Sequence, residues 1–342
     1  MAIVRTFISR LALAALVAAS AGTALAAGVG NYPEPTALPP ADGSAMPTQI
    51  ADENLLLSVA RAGTRLVSVG EFGHVLLSDD NGATWRQAKA VPTRRTLTDV
   101  SFADDRTGWA VGHGTVVLKT TDGGETWVRQ YGGATENEDP LLTVAAIDAN
   151  RAIAMGNFNF AIGTADGGTT WTEQGPLIAG SEDDLHLNHV FRGAGSTLFV
   201  AAEIGTIYRS DDLGQTWSKI ETGYPGSFWG GTVLADGTLL ITGMRGNIWR
   251  SADGGQTFTE VTSGTDQSLS SVTQLADGTV VAAGLSGFVS FSRDNGQSWT
   301  SVMRADRKGL AAVAEGKAGE LLLFGEAGIA RQPATPEGTP QM

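Results

Sequence analysis

Between Leu55 and Arg331 the apolar positions fall into short runs rather than into stripes of helical period. Leu97 to Phe102 is followed by Gly108-Trp109-Ala110-Val111-Gly112 and then, after a tight turn, by Thr115 to Thr120. Such β-branched or apolar runs, bounded by Gly and Asp-Gly, are the signature of strands joined by hairpins. The same triplet recurs: Leu142–Ile147 with 152–156, 187–191 with 198–202, 230–234 with 239–243, and 269–275 with 280–284. Asp236-Gly237 and Asp277-Gly278 stand between first and second strands, where hairpin turns belong.

Each third strand runs into an eight-residue motif of the form Ser/Thr-x-Asp-x-Gly-x-Thr/Ser-aromatic, here called a box. There are six, ending at Trp85, Trp127, Trp171, Trp217, Phe258 and Trp299, with spacings of 42, 44, 46, 41 and 41 residues. A period of about 40 is that of a four-stranded propeller blade. Asp80, Asp122, Asp166, Asp212, Asp253 and Asp294 are placed to bond the backbone of their own turns. Gly82 and its counterparts supply a left-handed turn residue, and the aromatic starts a fourth strand and packs into a seam between sheets. A calcium loop is the alternative for Asp-x-Asn-Gly, but no acidic residue stands at the bidentate position.

A seventh unit, Leu310–Val313, Leu321–Gly325 and Gly328–Arg331, has no box and no outer strand. The predicted architecture is therefore all-β: a seven-bladed propeller of four-stranded antiparallel blades over residues 51–332, closed by an N-terminal strand. Closure removes the exposed sheet edges of an open array.

The ends read differently. Arg5 and Arg10, the apolar run 11–19 and Ala24-Leu25-Ala26 form a signal peptide over 1–26. A Pro-rich leader over 27–50 is expected to supply the closing strand, and 333–342 is a tail. Export implies the periplasm or the extracellular space, with no membrane insertion after cleavage.

Composition narrows the function. The chain has no cysteine, 45 glycines and 17% charged residues, so disulfides and thiolate metal sites are excluded. Its net charge is −13, and signal removal leaves 21 basic against 36 acidic residues. Such a body is repelled by nucleic acid and by anionic lipid head groups.

In a four-stranded antiparallel blade the boxes share one face with the turns between strands one and two. The opposite face carries the turns between strands two and three and the connections between blades. Candidate binding residues there are Glu71, Phe72, Arg94, Arg95, His113, Phe158, Glu203, Tyr224, Trp229, Arg245, Arg304, Arg307 and Glu326. Variable loops on a constant frame are where binding sits. Tyr224 to Trp229 suits an anchor, or Phe228 and Trp229 simply begin an inner strand. Arg94 and Arg95 can clasp a carboxylate or pair with nearby acids. His186, His189 and Asp184 could hold a metal, yet positions 186 and 189 of a strand face opposite ways, so no metal and no cofactor is expected.

The boxes resemble the bacterial neuraminidase (BNR) or Asp-box repeat. The larger unit, in Val69-Gly70-Glu71-Phe72-Gly73-His74 and in Gly108-Trp109-Ala110-Val111-Gly112-His113-Gly114 through Trp127, is similar to the photosystem II stability and assembly factor family. That resemblance implies a seven-bladed propeller that helps assembly and is not an enzyme. Exported relatives occur in non-photosynthetic bacteria, some encoded near RND-type transporters. The implied partner is a protein of the envelope, a membrane protein, bound by a monomer. The alternative is a sialidase-like glycoside hydrolase or a glycan-binding propeller. Sialidase chemistry needs a Tyr nucleophile, an Arg cluster and an acid. Only Tyr32, Tyr131, Tyr208 and Tyr224 are present, and the Arg-Ile-Pro element is missing. Acid pairs such as Glu138/Asp139 and Asp183/Asp184 keep hydrolysis open.

Overall fold

A computed structural model describes residues 43–132, 139–175, 177–179 and 184–337. The signal peptide, residues 27–42 of the leader, the end of the tail and the acids Glu138 and Asp183 lie outside the described residues. The described chain forms seven sheets in succession, with strands running inner to outer in chain order. Blades 1 to 7 span 56–87, 97–131, 141–173, 187–221, 228–261, 269–303 and 310–333. The inner strands contact one another all the way round, blade 7 back to blade 1. The predicted seven-bladed propeller is the observed fold.

The apolar core is divided among the seams. One cluster fills each junction between neighbouring blades, from Val67, Leu77, Val100 and Leu118 between blades 1 and 2 to Leu56, Leu76, Leu322 and Phe324 between 7 and 1. A fully buried Leu or Val contributes about 1.5–3 kcal/mol, so the stability of the ring resides chiefly in its seams. Every box aromatic enters one: Trp85 joins the seam of blades 7 and 1, Trp127 that of 1 and 2, and Trp299 that of 5 and 6.

The boxes repeat in geometry as they do in sequence. In the first, Ser78 Oγ donates to Asp80 Oδ1 at 2.8 Å and accepts from Gly82 N–H at 2.8 Å. Asp80 then takes the Thr84 N–H at 2.9 Å and the Thr84 hydroxyl at 2.7 Å. Asp122, Asp166, Asp212, Asp253 and Asp294 make the same bonds in their turns. Donors to a carboxylate favour its ionised form. The Thr84 and Thr170 backbone N–H groups do most to hold Asp80 and Asp166 at about 2. At Asp212 the Thr216 hydroxyl leads, again giving about 2. At Asp294 burial pushes upward but is outweighed by the donors of Ser298, leaving about 2. Folded-state values thus lie below the ~3.9 of an unfolded Asp. The stabilisation is complete above about pH 4 and is lost as pH falls through about 2. Thermal unfolding from pH 6 to pH 2 should show a level Tm above about pH 4.5 and a steep fall below 4. A level profile down to pH 2 would contradict the role given to the boxes.

A second device repeats without any sequence motif. Every inner strand carries a β-bulge at its second residue: Leu57, Thr98, Leu142, Asn188, Trp229, Ser270 and Ala311. A bulged residue leaves the ladder and is re-aimed, here toward the next blade. Thr98 Oγ1 donates to Leu141 O, Asn188 Nδ2 to Phe228 O and Ser270 Oγ to Leu310 O, at 2.7, 2.8 and 2.5 Å. Blades 2, 4 and 6 thus tie themselves to the first residue of the following inner strand. The bulges of blades 1, 3, 5 and 7 are apolar.

Blade 7 has three strands among the described residues. The sequence assigns its fourth to the leader, of which 27–42 lies outside the described part. Residues 43–50 run along blade 1 instead. Ala45 N–H donates to Val91 O, Gln87 Nε2 to Met46 O and Thr48 N–H to Gln87 Oε1. The ring still closes through its last seam, where Arg61 donates to Glu315 O at 2.7 Å and Arg331 to Ala83 O at 2.8 Å.

Candidate functional site

The face opposite the boxes is built from the turns between second and third strands. In blades 1 and 5 these are tight turns with two consecutive left-handed residues: Phe72 (φ 57°) and Gly73 (φ 69°), then Arg245 (φ 55°) and Gly246 (φ 72°). His74 N–H closes back on Glu71 O, and Asn247 N–H on Met244 O. This is the type I′ hairpin, which matches the twist of its flanking strands. Phe158 with Asn159, Ile204 with Gly205, and Ser286 with Gly287 occupy the same two positions in blades 3, 4 and 6.

Three predicted carboxylates prove to be parts of this frame. Glu71 accepts the Leu55 N–H, Glu203 that of His186 and Glu326 that of Gly309, at 3.0, 3.0 and 3.2 Å. Each fastens its turn to the chain that leads into the inner strand. Arg304 is 7% exposed and spans Asp306 and Gln332 Oε1. Trp229 is 3% exposed at the bulge of blade 5, so it is buried in the ring, and Phe228 does begin the inner strand. Tyr224 is half-buried; its hydroxyl donates to Met244 O at 2.7 Å and its ring packs on Phe228 and Trp249. Burial pushes its phenol upward. Burial first, and then the charge of Arg95, push the His113 imidazole below its ordinary range.

The remaining candidates meet solvent. Phe72 and Phe158 are among the exposed large apolar side chains, and Arg245 and Arg307 are exposed. Arg94 is half-buried, with Nε donating to Ser44 O at 2.8 Å. Ile204 belongs with Phe72 and Phe158. Only its place as first left-handed residue of a type I′ turn marks it, a signal the sequence does not display in a run such as Ala-Glu-Ile-Gly.

Cations are used differently on the two faces. On the box face four of them reach across seams to backbone carbonyls of the next blade's box: Arg65 to Gly123 O, Lys119 to Gly167 O, Arg209 to Gly254 O and Arg250 to Asn295 O, at 2.9–3.0 Å. Those groups are committed to the ring. The described part of the opposite face shows no such clasp at Arg245, Arg307 or Lys308. The two histidines weighed as metal ligands are apart in role. His186 accepts the Phe158 N–H at a turn, whereas His189 lines the central cavity and stacks on Phe191.

That cavity, about 280 Å³, is walled by inner strands of all seven blades. Asp99, 5% exposed on its wall, accepts Ser58 Oγ, the Val100 N–H, Thr143 Oγ1 and the Val144 N–H at 2.7–3.0 Å. Its acceptor sites are occupied by blades 1, 2 and 3, which makes it a tie rather than a free acid.

Relatives agree with this frame. The chain matches the sequence model of the photosynthesis system II assembly factor YCF48 family over residues 77–157 and 134–332. The chloroplastic photosystem II stability/assembly factor HCF136 of Cyanidioschyzon merolae is 42% identical over 62 residues, which is 18% of this chain and 14% of that relative's length. Among solved structures, YCF48 bound to D1 peptide superposes with a TM-score of 0.66 at 19% identity, covering 83% of this chain and 94% of the other. YCF48 from Cyanidioschyzon merolae gives 0.63 at 18% identity, covering 82% and 95%. The GH74 xyloglucanase from Xanthomonas campestris gives 0.65 at 14% identity over 84% of this chain and 54% of that one, a likeness of fold alone. With the matched segments spanning most of the propeller, the chain belongs to the photosynthesis system II assembly factor YCF48 family.

Proposed function

We propose that this protein is a non-catalytic assembly scaffold, exported to the periplasm or beyond, that docks a membrane protein of an envelope complex on the face opposite its boxes. Membership of a family of assembly factors carries the reading, and a YCF48 solved with a bound D1 peptide supports protein binding as the mode. The contrast between faces supports the location. On the box face Arg65, Arg209 and Arg250 are committed to the ring, whereas the opposite face offers Arg245, Arg307, Phe72, Phe158 and Ile204 to solvent. RND-type transporter complexes are the envelope assembly to test first.

The experiment is residue-resolved crosslinking of the mature protein in its native envelope, with wild type beside Arg94→Glu/Arg95→Glu. Crosslinks should fall on residues of the turns and blade connections of that face. They should be lost in the charge-reversed variant, whose Tm should stay within a few degrees of wild type because partly exposed charges contribute about 0–1 kcal/mol. Crosslinks confined to the box face, or unchanged by the reversal, would defeat the proposal. Turnover of xyloglucan or aryl glycosides by the purified protein would replace it with a hydrolase.

A further inference from the structure

Type I′ turns favour Asn or Gly at the first left-handed position, because a β-carbon there crowds the backbone. Blade 2 follows that preference with Gly114. Blades 1 and 3 to 6 do not: blades 5 and 6 place the polar Arg245 and Ser286 there, and blades 1, 3 and 4 the apolar Phe72, Phe158 and Ile204 at φ 57°, 53° and 53°. A β-branched residue in this conformation is a true outlier. The same three side chains are 51%, 45% and 57% exposed, so burial does not compensate for the strain. Two unfavourable choices thus coincide at one structural position in three blades. Backbone strain kept at an exposed position is characteristic of a contact surface.

We infer that Phe72, Phe158 and Ile204 are apolar contact points for an extended polypeptide segment in which apolar side chains are flanked by acidic ones. The inference rests on the docking-face reading above and names the chemistry of the partner. The charge on the face favours an acidic flank. Glu71 and Glu203, the carboxylates beside Phe72 and Ile204, are occupied by backbone N–H groups, while Arg94 adjoins the Phe72 turn, since a Cβ added to Gly73 would stand 3.3 Å from the Arg94 Cα. Arg245 stands at the equivalent apex of blade 5.

The test uses the triple variant Phe72→Asn/Phe158→Asn/Ile204→Asn of the mature protein. Synthetic 15-residue peptides are the probes, in three sets: Leu and Phe among Asp and Glu, the same with Ser for the apolar residues, and the same with Lys for the acids. Fluorescence anisotropy should show binding of the first set only, weakened by about tenfold or more in the triple variant, the loss expected for contacts of hot-spot strength. Its Tm should equal or exceed that of wild type, since Asn suits the left-handed position. Equal affinity, a Tm lower by more than about 5 °C, or no peptide binding at all would overturn the inference. So would binding to zwitterionic phosphatidylcholine vesicles that the triple variant loses. If Arg94→Glu/Arg95→Glu abolishes envelope crosslinks while the triple variant keeps wild-type affinity, the contact points fall and the docking face stands; if neither variant loses anything, both fall.

Discussion

Replacing Asp99 with Ala should cost about 3–5 kcal/mol of folding stability, the range for removing one partner of a buried ionic or charge-assisted arrangement. The carboxylate is 5% exposed and accepts four hydrogen bonds. Two of its donors, Ser58 and Thr143, belong to the inner strands of blades 1 and 3, and Thr143 Oγ1 in turn accepts the Val190 N–H of blade 4 at 3.0 Å. Truncation leaves two hydroxyls and the Val144 N–H without their acceptor on the wall of the ring. In a chain of this size the loss corresponds to a fall in Tm of about 10 °C. Asp99→Asn should recover little, because an amide NH2 would face at least one donor that now meets a carboxylate oxygen. Denaturant unfolding of both variants checks this. A loss below about 1 kcal/mol for Asp99→Ala would mean that the seams hold without the tie.

Much of the ring was legible in the sequence because its signals are local and repeated. The box carries its Ser/Thr, Asp, Gly and aromatic within eight residues, so one turn geometry can be read six times and the period counts the blades. The seventh unit was recognisable from three short apolar runs. The bulges were not, because nothing local sets Leu57, Thr98 and Trp229 apart. Their common trait is a position in the register between two strands, and the residue chosen depends on the neighbouring blade. Trp229 shows the consequence: as a large aromatic beside a loop it reads equally as an anchor or as a strand start, and packing decides for the latter. Glu71, Glu203 and Glu326 were placed on the right face, but their engagement with backbone N–H groups depends on chain that arrives some 16 or 17 residues away. Asp99 carries no motif at all. The face was legible from topology, whereas the work of each side chain on it was set by contacts between blades.

One glycine position joins the sequence pattern to the ring and allows a test with an internal control. The last residue of each second strand pairs with the first residue of the inner strand, and it is Gly in six blades: Gly70, Gly112, Gly156, Gly243, Gly284 and Gly325. The φ values recorded for Gly70 and Gly112, −170° and −177°, are ordinary extended backbone, so space and not conformation demands the glycine. A Cβ on Gly112 would stand 2.1 Å from Thr96 O, and one on Gly284 2.0 Å from Ser268 O. At these two glycines a hydrogen bond holds that carbonyl in place: His113 N–H donates to Thr96 O, and Leu285 N–H to Ser268 O. Blade 4 has Ala202 in this place, paired with Leu187. There the Glu203 N–H makes no corresponding backbone bond among the described residues. Gly112→Ala should therefore cost about 3 kcal/mol, the upper part of the usual overpacking range, with faster hydrogen exchange at the His113 N–H. Ala202→Gly should change stability by less than about 1 kcal/mol, the ordinary price of glycine in a strand. Equal effects of the two substitutions would show that the carbonyl's approach is not what fixes glycine at this position. A fully tolerated Gly112→Ala with the exchange rate unchanged would show that the inner strand can shift without losing its bulge.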